Sequence, residues 1–289
     1  MKIVITGFSG FIGTNFVKDS CSFDITKVDL LTQKVSEIDF TGMDSILHLA
    51  ALVHQMQGTP ENQYFKVNRD LTYEIAKQAK AQGVKQFVFM STAKVFGEFT
   101  TGRPAWDENS ECCPQDAYGK SKYEAEKLLL SLQDENFKVA IVRSPLVYGA
   151  GVKANMYNLI KLVNRCPLLP LGRINNVRSI VYVGNLVGLL KHIIQTKASG
   201  VFIAGDKQPL STTQLIKLIA IASNKKVILF KTPQFVLNLA KYVKPSIIDR
   251  LFGSLELDNF GTNKRLAFEP PFSSEQGIKE MVKWYKGKI

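Results

Sequence analysis

Cysteine is scarce in this 289-residue sequence, which has only Cys21, Cys112, Cys113 and Cys166. Their spacing fits neither a zinc site nor a redox Cys-x-x-C pair, and the adjacent Cys112 and Cys113 would form a strained disulfide. We therefore expect reduced thiols in a reducing compartment. Histidine is rarer still, at three residues, and no cluster of histidine, cysteine and carboxylate residues predicts a metal site.

Long apolar runs are also missing. No stretch reaches the length of a membrane span, and residues 1–5 lack the apolar segment of a signal peptide. We expect a cytoplasmic protein without stable membrane insertion. Residues 234–244 mix apolar side chains with lysines, which is typical of a membrane-surface helix but is explained equally by a core-facing helix, the interpretation we prefer.

Acidic residues are outnumbered, 25 against 37 basic ones, and the formal net charge is +12. The lysines are scattered and no aromatic residues alternate with a basic run, so a nucleic-acid partner is not expected. A small substrate that bears phosphate would be attracted by this net positive field.

A glycine-rich turn follows the first predicted strand, residues 2–5, and places glycines at Gly7, Gly10 and Gly13. Between a strand and a helix, such glycines permit a tight turn and let the backbone approach a pyrophosphate, which the helix N-terminus then binds. A turn without a ligand is the alternative. The strand before it and the helix after it favour a dinucleotide site.

Asp29 indicates which dinucleotide is expected. It ends the next predicted strand, residues 25–29, where a carboxylate pairs with a free ribose 2′-hydroxyl and repels a 2′-phosphate. The expected cofactor is therefore NAD. Lys27 and Lys34 lie close enough in the sequence to leave NADP as an alternative.

Strand and helix signals alternate through the first half of the chain. Strands are predicted over 45–50, 84–90 and 138–142, and helices over 60–82 and 115–133. This alternation predicts an α/β fold with a Rossmann-type doubly wound parallel sheet, in which ligands bind beyond the carboxyl ends of the strands.

The pattern changes after about residue 150. Residues 1–150 are predicted to form the NAD(P)-binding Rossmann domain, with 176–205 returning to its sheet. Residues 151–175 and 206–289 are predicted to form a small mixed substrate-binding lobe, and the boundary between the two is a natural place for a cleft. Capping boxes at Ser211 and Ser273 predict two helices in this lobe.

Tyr118 and Lys122 lie one turn apart at the start of a predicted helix. A neighbouring ammonium and an oxidised nicotinamide both favour the phenolate, so Tyr118 can serve as a base, and Lys122 can also bond the nicotinamide ribose. Upstream, Ser91 and Thr92 end a central predicted strand, where either hydroxyl would reach the same crevice. A solvated helix face is the alternative interpretation of the tyrosine and lysine.

With these features in this order, the sequence resembles the extended short-chain dehydrogenase/reductase superfamily, specifically its nucleotide-sugar epimerase/dehydratase branch. The resemblance covers essentially the whole chain. Besides the glycine turn and Tyr118-x-x-x-Lys122, it rests on Asp44-x-x-x-His48-Leu49-Ala50-Ala51, Val67-Asn68, Ser91-Thr92-x-x-Val95-Phe96-Gly97, Arg143-Ser144-Pro145-Leu146-Val147-Tyr148-Gly149 and Arg178-Ser179-Ile180-Val181-Tyr182-Val183.

The resemblance implies a catalytic triad in which Thr92, and not Ser91, accompanies Tyr118 and Lys122. It also implies that Asn68 supports the active-site backbone. The residues it assigns to the cofactor, besides those three glycines, Asp29, Tyr118 and Lys122, are Phe11, Ile12, Leu49, Ala50, Ala51, Ser144 and Pro145. The residues it assigns to the substrate, besides Thr92, are Lys94, Asn155, Arg178 and Arg250, the last two for the diphosphate, and His54 is expected to line the pocket.

The resemblance also narrows the reaction. Dehydratases of the family follow the catalytic threonine with Asp-Glu, where this chain has Ala93 and Lys94. A dehydratase is therefore not expected, and the implied function is NAD-dependent redox chemistry at C4 of a nucleotide-linked hexose, by a UDP-sugar 4-epimerase. The alternatives are an NAD(P)H-dependent reductase of a UDP-4-keto-(6-deoxy)-N-acetylhexosamine for surface polysaccharide precursors, and a non-catalytic dinucleotide-binding regulator. The family often forms homodimers through the helices predicted at 60–82 and 115–133.

Overall fold

The computed structural model of the chain describes residues 1–53, 59–233, 242 and 245–288. The strands are β1 (Lys2–Thr6), β2 (Asp24–Val28), β3 (Ser45–His48), β4 (Gln86–Thr92), β5 (Lys138–Ser144), β6 (Leu146–Tyr148), β7 (Leu168–Gly172), β8 (Ile180–Tyr182), β9 (Gly200–Ile203) and β10 (Ile228–Lys231). The α-helices are α1 (Phe11–Asp19), α2 (Glu61–Tyr64), α3 (Leu71–Ala81), α4 (Ala117–Ser131), α5 (Ala154–Arg165), α6 (Val183–Thr196), α7 (Thr212–Ser223), α8 (Pro245–Phe252), α9 (Phe260–Leu266) and α10 (Ser274–Lys286).

Six strands form the main sheet in the order β2-β1-β3-β4-β5-β9, and every neighbouring pair is parallel. The order reverses between β1 and β3, which makes their carboxyl ends the expected ligand crevice. The predicted α/β class and doubly wound parallel sheet are confirmed.

The sheet is buried on both faces. Along β1, Ile3 and Ile5 pack with α1 and α6 on one face, while Val4 packs with α3 and α4 on the other. Side chains alternate between the faces of a strand, so a strand covered on both sides must be apolar throughout. This is why the inner strands β1, β3, β4 and β5 are largely apolar runs in the sequence, whereas the edge strand β2 is mostly exposed.

The later part of the chain adds two small parallel sheets, β6 with β8 and β7 with β10. A separate apolar core joins β7 to α5, α7 and α10. The predicted capping boxes form: Ser211 and Gln214 begin α7, and Ser273 and Gln276 begin α10. No helix within the described ranges is long and apolar enough to cross a membrane.

Two elements differ from prediction. The helix expected over 60–82 contains a π-helical segment, Phe65–Asp70, between α2 and α3. The segment 176–205, expected to return to the main sheet, first forms β8, which pairs with β6, so the return is made by β9.

Candidate active site

The turn between β1 and α1 is held tightly by its glycines. Gly7 has φ +68°, and a Cβ on it would lie 2.6 Å from the backbone nitrogen of Ala50, at the end of β3. A Cβ on Gly13 would lie 2.3 Å from the carbonyl oxygen of Gly7. Gly10, the N-cap of α1, provides no side-chain cap. The first N–H groups of the helix are therefore open to an anion, as a pyrophosphate site requires.

His48 fixes the loop that faces this turn. Its ring bonds Thr6 Oγ1 through Nδ1 (2.9 Å) and Thr72 Oγ1 through Nε2 (3.1 Å), and it stacks between Phe87 and Phe89. Burial, with a smaller contribution from the nearby positive charge of Lys122, lowers the pKa of His48 to about 3. The histidine is therefore neutral and structural, and the predicted cofactor residues 49–51 follow it directly.

Thr92 ends β4 at the carboxyl edge of the sheet. It pairs in register with Ser144 of β5, another predicted cofactor residue, which Pro145 follows. The Thr92 hydroxyl accepts a hydrogen bond from the backbone nitrogen of Lys94, and it lies close enough to Tyr118 to lower the pKa of the phenol. Ser91, the other candidate hydroxyl, is buried and donates to Glu126, away from this contact. The geometry therefore favours Thr92 over Ser91.

Tyr118 lies in the first turn of α4, with its ring edge-on to Tyr64 at 6.5 Å between centroids. Burial and the nearby Asp116 carboxylate raise the pKa of Tyr118 to about 12, although the hydrogen bond with Thr92 acts in the opposite direction. The phenol is thus protonated in the protein alone, and a base role requires added positive charge beside it.

Lys122 follows one turn later and is only 2% exposed. Its Nζ lies 4.0 Å above the centroid of the Phe89 ring. Burial lowers the pKa of Lys122 to about 7, against the opposing charge of Glu126. A buried ammonium that titrates near neutrality is sensitive to any charged group placed beside it, which is typical of functional sites.

Asn68 lies within the π-helical segment and is fully buried. Its side chain accepts from the backbone nitrogen of Leu52 (2.8 Å) and donates to the Leu52 carbonyl and to Ser121 Oγ, which in turn donates to the Tyr118 carbonyl. Asn68 thus links the loop after β3 to the first turn of α4. π-Helical turns are frequent at functional sites because they place one side chain out of helical register.

A buried ion pair fixes α4 to the sheet. Glu126 and Arg143 are 1% and 6% exposed, and both Nε and Nη2 of the guanidinium donate to the carboxylate, Nη2 at 2.7 Å. Ser91 donates to the same carboxylate, and Arg143 stacks over Phe96. Glu126 lies one turn after Lys122, so the pair positions the helix that bears the candidate catalytic residues.

Lys94, predicted as a substrate residue, is bonded to protein carboxylates. Its Nζ donates to Glu98 (3.0 Å) and to Asp116, the N-cap of α4. Its contribution to substrate binding stays a prediction.

The other predicted substrate residues belong to parts of the chain other than β4 and α4. Asn155 is exposed in the first turn of α5, and Arg178 donates through Nη1 to the Gly253 carbonyl. Arg250 belongs to α8, but its side chain lies outside the described residues, as do His54 and residues 234–241 and 243–244.

A polar cavity of about 330 Å³ lies between β7, β10 and the segment after α8. Two cations line it, Arg173 and Lys231, together with Asn175, Thr232 and Ser254. Sequence reasoning missed both cations. A second cavity, of about 370 Å³, lies beside the glycine turn and is lined by Lys18 and Lys27. Neither of these cavities is lined by Tyr118 or Lys122.

An open parallel sheet, a glycine turn after its first strand and a Tyr–Lys pair near its carboxyl edge together define a dinucleotide-dependent oxidoreductase. Residues 3–205 match the NAD dependent epimerase/dehydratase family. The UDP-glucose 4-epimerase of Vibrio cholerae is 35% identical over 310 aligned residues, which cover 96% of this chain and 94% of that protein. The chain therefore belongs to the NAD dependent epimerase/dehydratase family. The family, the enzyme class and the NAD cofactor predicted from the motifs are confirmed.

More distant relatives are named for different substrates. The N-acetyl-alpha-D-glucosaminyl-diphospho-ditrans,octacis-undecaprenol 4-epimerase of Escherichia coli O157:H7 is 29% identical, with 78% of this chain and 73% of that protein covered. Among solved structures, the UDP-glucuronic acid 4-epimerase of Bacillus cereus, in complex with UDP-glucuronic acid and NAD, has a TM-score of 0.77 at 20% identity with both chains fully covered. This structural likeness supports the fold.

Proposed function

We propose that this chain is a NAD-dependent 4-epimerase of a nucleotide-linked hexose, with UDP as the nucleotide. The observation on which this proposal depends is the position of Thr92, at the carboxyl end of β4, beside Tyr118 in the first turn of α4, with buried Lys122 one turn later. The similarity to the UDP-glucose 4-epimerase of Vibrio cholerae supports the choice of a UDP-sugar.

The residues present fit the cofactor. The close contact of Gly7 with Ala50 and of Gly13 with Gly7 leaves the N-terminus of α1 open to the pyrophosphate. Asp29 directly follows β2, where its carboxylate is suited to the adenosine ribose. We further propose that Phe11, Ile12, Leu49, Ala50, Ala51, Ser144 and Pro145 line the dinucleotide. Bound NAD would supply a reversible hydride acceptor for C4 of the sugar and a positive charge that favours a tyrosinate.

Tyr118 removes the proton from the 4-hydroxyl and returns it when the hydride returns. Its phenol, with a pKa of about 12 in the protein alone, reaches the tyrosinate form only beside positive charge. Lys122 contributes positive charge from the protein side and would bond the nicotinamide ribose. Thr92 holds the reacting oxygen by a second hydrogen bond.

The substrate diphosphate requires cations. We propose that Arg178 contacts it, in line with the sequence prediction, and that Arg173 and Lys231 on the polar cavity supply the remaining positive charge. We also propose that Asn155 and Arg250 contact the substrate, as the family resemblance implies. A homodimer through the helices around α3 and α4 also stays a proposal.

A screen of UDP- and dTDP-hexoses, with and without a 4-keto group, tests the reaction. We expect UDP-hexoses to be epimerised at C4, and we expect Tyr118→Phe to lower kcat about 10²–10⁴-fold, the usual contribution of a general acid–base group. Tyr123→Phe, on the same helix, is the matched control and should retain activity. Wild-type activity in Tyr118→Phe would refute the assignment of the base.

The cofactor content separates the alternatives. Denatured protein that releases stoichiometric NAD supports an epimerase, which keeps its cofactor through the cycle. A site that is filled only by added NADPH, with turnover of 4-keto sugars alone, identifies a reductase. Binding of the dinucleotide without turnover of any sugar identifies a regulator.

A further inference from the structure

Lys94 lies between the two elements that supply the candidate catalytic hydroxyls. It belongs to the short 3-10 turn Ala93–Val95, which follows Thr92 directly. Its ammonium donates to the side chain of Asp116, the residue that caps the helix of Tyr118. The lysine therefore joins the end of β4 to the beginning of α4.

The contact is made by backbone as well as by side chain. A Cβ on Gly119, in the first turn of α4, would lie 2.8 Å from the Lys94 carbonyl oxygen. Only a glycine permits this approach, so the helix and the turn are pressed together next to Tyr118. Asp116 Oδ1 accepts from the Gly119 backbone nitrogen (2.7 Å), while its other carboxylate oxygen accepts from Lys94.

The charges around this contact are unequal. The Lys94 side chain is 26% exposed, and its ammonium bonds two carboxylates, those of Glu98 and Asp116, whose side chains are 39% and 24% exposed. Asp116 is also the carboxylate that acts on Tyr118, where it opposes ionisation of the phenol. Removal of the ammonium would leave the Asp116 carboxylate beside the tyrosine without its cation.

We propose that Lys94 is a positioning residue of the Thr92–Tyr118 pair, which holds the turn after β4 against the N-cap of α4 and compensates the Asp116 charge that faces Tyr118. The role of Tyr118 as acid–base group in this proposal rests on the proposed function. Direct binding of the substrate by Lys94, as the sequence predicted, is the competing account.

The groups that face Tyr118 come from several elements, and only some of them are charged. They are Tyr64 from α2, Thr92 from β4 and Asp116, the N-cap of α4, and Asp116 is in turn bonded to Lys94 from the 3-10 turn. The pKa of Lys122, one turn further along α4, depends on burial and on the charge of Glu126, and none of the variants below replaces either residue. A shift confined to Tyr118 therefore reports on the Lys94–Asp116 pair.

Four variants test the proposal: Lys94→Met, Lys94→Arg, Asp116→Asn and the double variant Lys94→Met with Asp116→Asn. Asparagine keeps an acceptor for the Gly119 nitrogen, so the helix cap is retained. The first readout is the titration of Tyr118 by NMR in protein labelled at the tyrosine ring carbon, with Tyr118→Phe to assign the signal. The second is the pH profile of kcat/KM for the UDP-hexose.

In Lys94→Met we expect the pKa of Tyr118 to rise by about one unit, the usual effect of a nearby charge. The acid limb of kcat/KM should move to higher pH by the same amount, which lowers the rate near neutral pH about tenfold while KM changes little. Asp116→Asn should shift both readouts to lower pH, the double variant should return them towards wild type, and Lys94→Arg should retain the wild-type profile.

A Lys94→Met protein with a raised KM and an unmoved Tyr118 titration would overturn the proposal in favour of substrate binding. Equal shifts in the single and double variants would also overturn it, because the effect would then not pass through Asp116. Should Lys94→Met fail to fold, Asp116→Asn and Lys94→Arg still decide the matter. The titration needs no turnover, so expected shifts in a protein that epimerises no sugar would refute the proposed function alone.

Discussion

The buried pair of Glu126 and Arg143 gives the sharpest stability prediction. In Glu126→Leu, the guanidinium stays buried without its carboxylate, and the Ser91 hydroxyl loses its acceptor. Burial by itself lowers the pKa of Arg143, yet the hydrogen bonds and charge of Glu126 raise it overall, so the charged pair is the stable form in the fold. Loss of one partner of such a pair costs about 3–5 kcal/mol of unfolding free energy.

The measurement is urea unfolding followed by circular dichroism near neutral pH. We expect Glu126→Leu to lower the unfolding free energy by that amount, or the melting temperature by roughly 6–20 °C. The double variant, Glu126→Leu with Arg143→Met, should recover much of the loss, because apolar side chains of similar volume leave no buried charge. Glu269→Gln, in the exposed pair with Lys207, is the control and should leave the unfolding midpoint unchanged.

A cost below about 1 kcal/mol in Glu126→Leu would contradict the inference that the pair is desolvated and hydrogen-bonded. A double variant that is less stable than the single one would contradict it as well, because the loss would then come from packing around α4 and not from an unpaired charge.

Two further predictions concern the glycine turn and the loop beside it. The pKa of His48 is lowered to about 3 in the folded protein, from 6.5 in the unfolded chain. As the pH falls below 6.5, the unfolded state therefore binds a proton at this residue, while the folded state does not. The unfolding free energy should therefore fall by about 2 kcal/mol between pH 7 and pH 5, and His48→Asn should remove that slope in urea titrations. Gly13→Ala should cost about 1–3 kcal/mol and abolish NAD retention, because its Cβ meets backbone at 2.3 Å. Gly188→Ala in α6, whose Cβ would meet side chains at 3.6 Å and beyond, should leave stability and NAD content intact, and equal behaviour of the two variants would refute the packing argument.

The sheet and its catalytic edge are predictable from the sequence for a common reason. Strands buried on both faces must be apolar throughout, so β1, β3 and β4 are recognisable without knowledge of their neighbours. In a parallel sheet their carboxyl ends meet at one edge, which is why Ser91 and Thr92 could both be placed at the ligand crevice from the sequence, while the choice of Thr92 came from the family resemblance.

The charged contacts under this edge were not predictable in the same way. In the sequence, Glu126 and Lys94 look like solvated helix or turn residues, since their partners are distant: Arg143 is 17 residues from Glu126, and Asp116 is 22 residues from Lys94. Their pairing depends on the register of β4 with β5 and on the packing of α4. The cations Arg173 and Lys231 approach each other only through the pairing of β7 with β10, short strands that no strong periodicity marks.

The π-helical turn at Phe65–Asp70 has a consequence for engineering. Deletion of one residue there would restore an ordinary helix, and the apolar side of α3 could still cover the sheet through Ile75 and Ala79. The amide of Asn68 would then rotate away from Leu52, and the loop that follows His48 would lose its tether to α4. A more regular helix would thus leave the Asn68 amide without its partners and catalyse worse, which makes this turn a poor place to seek stabilising changes.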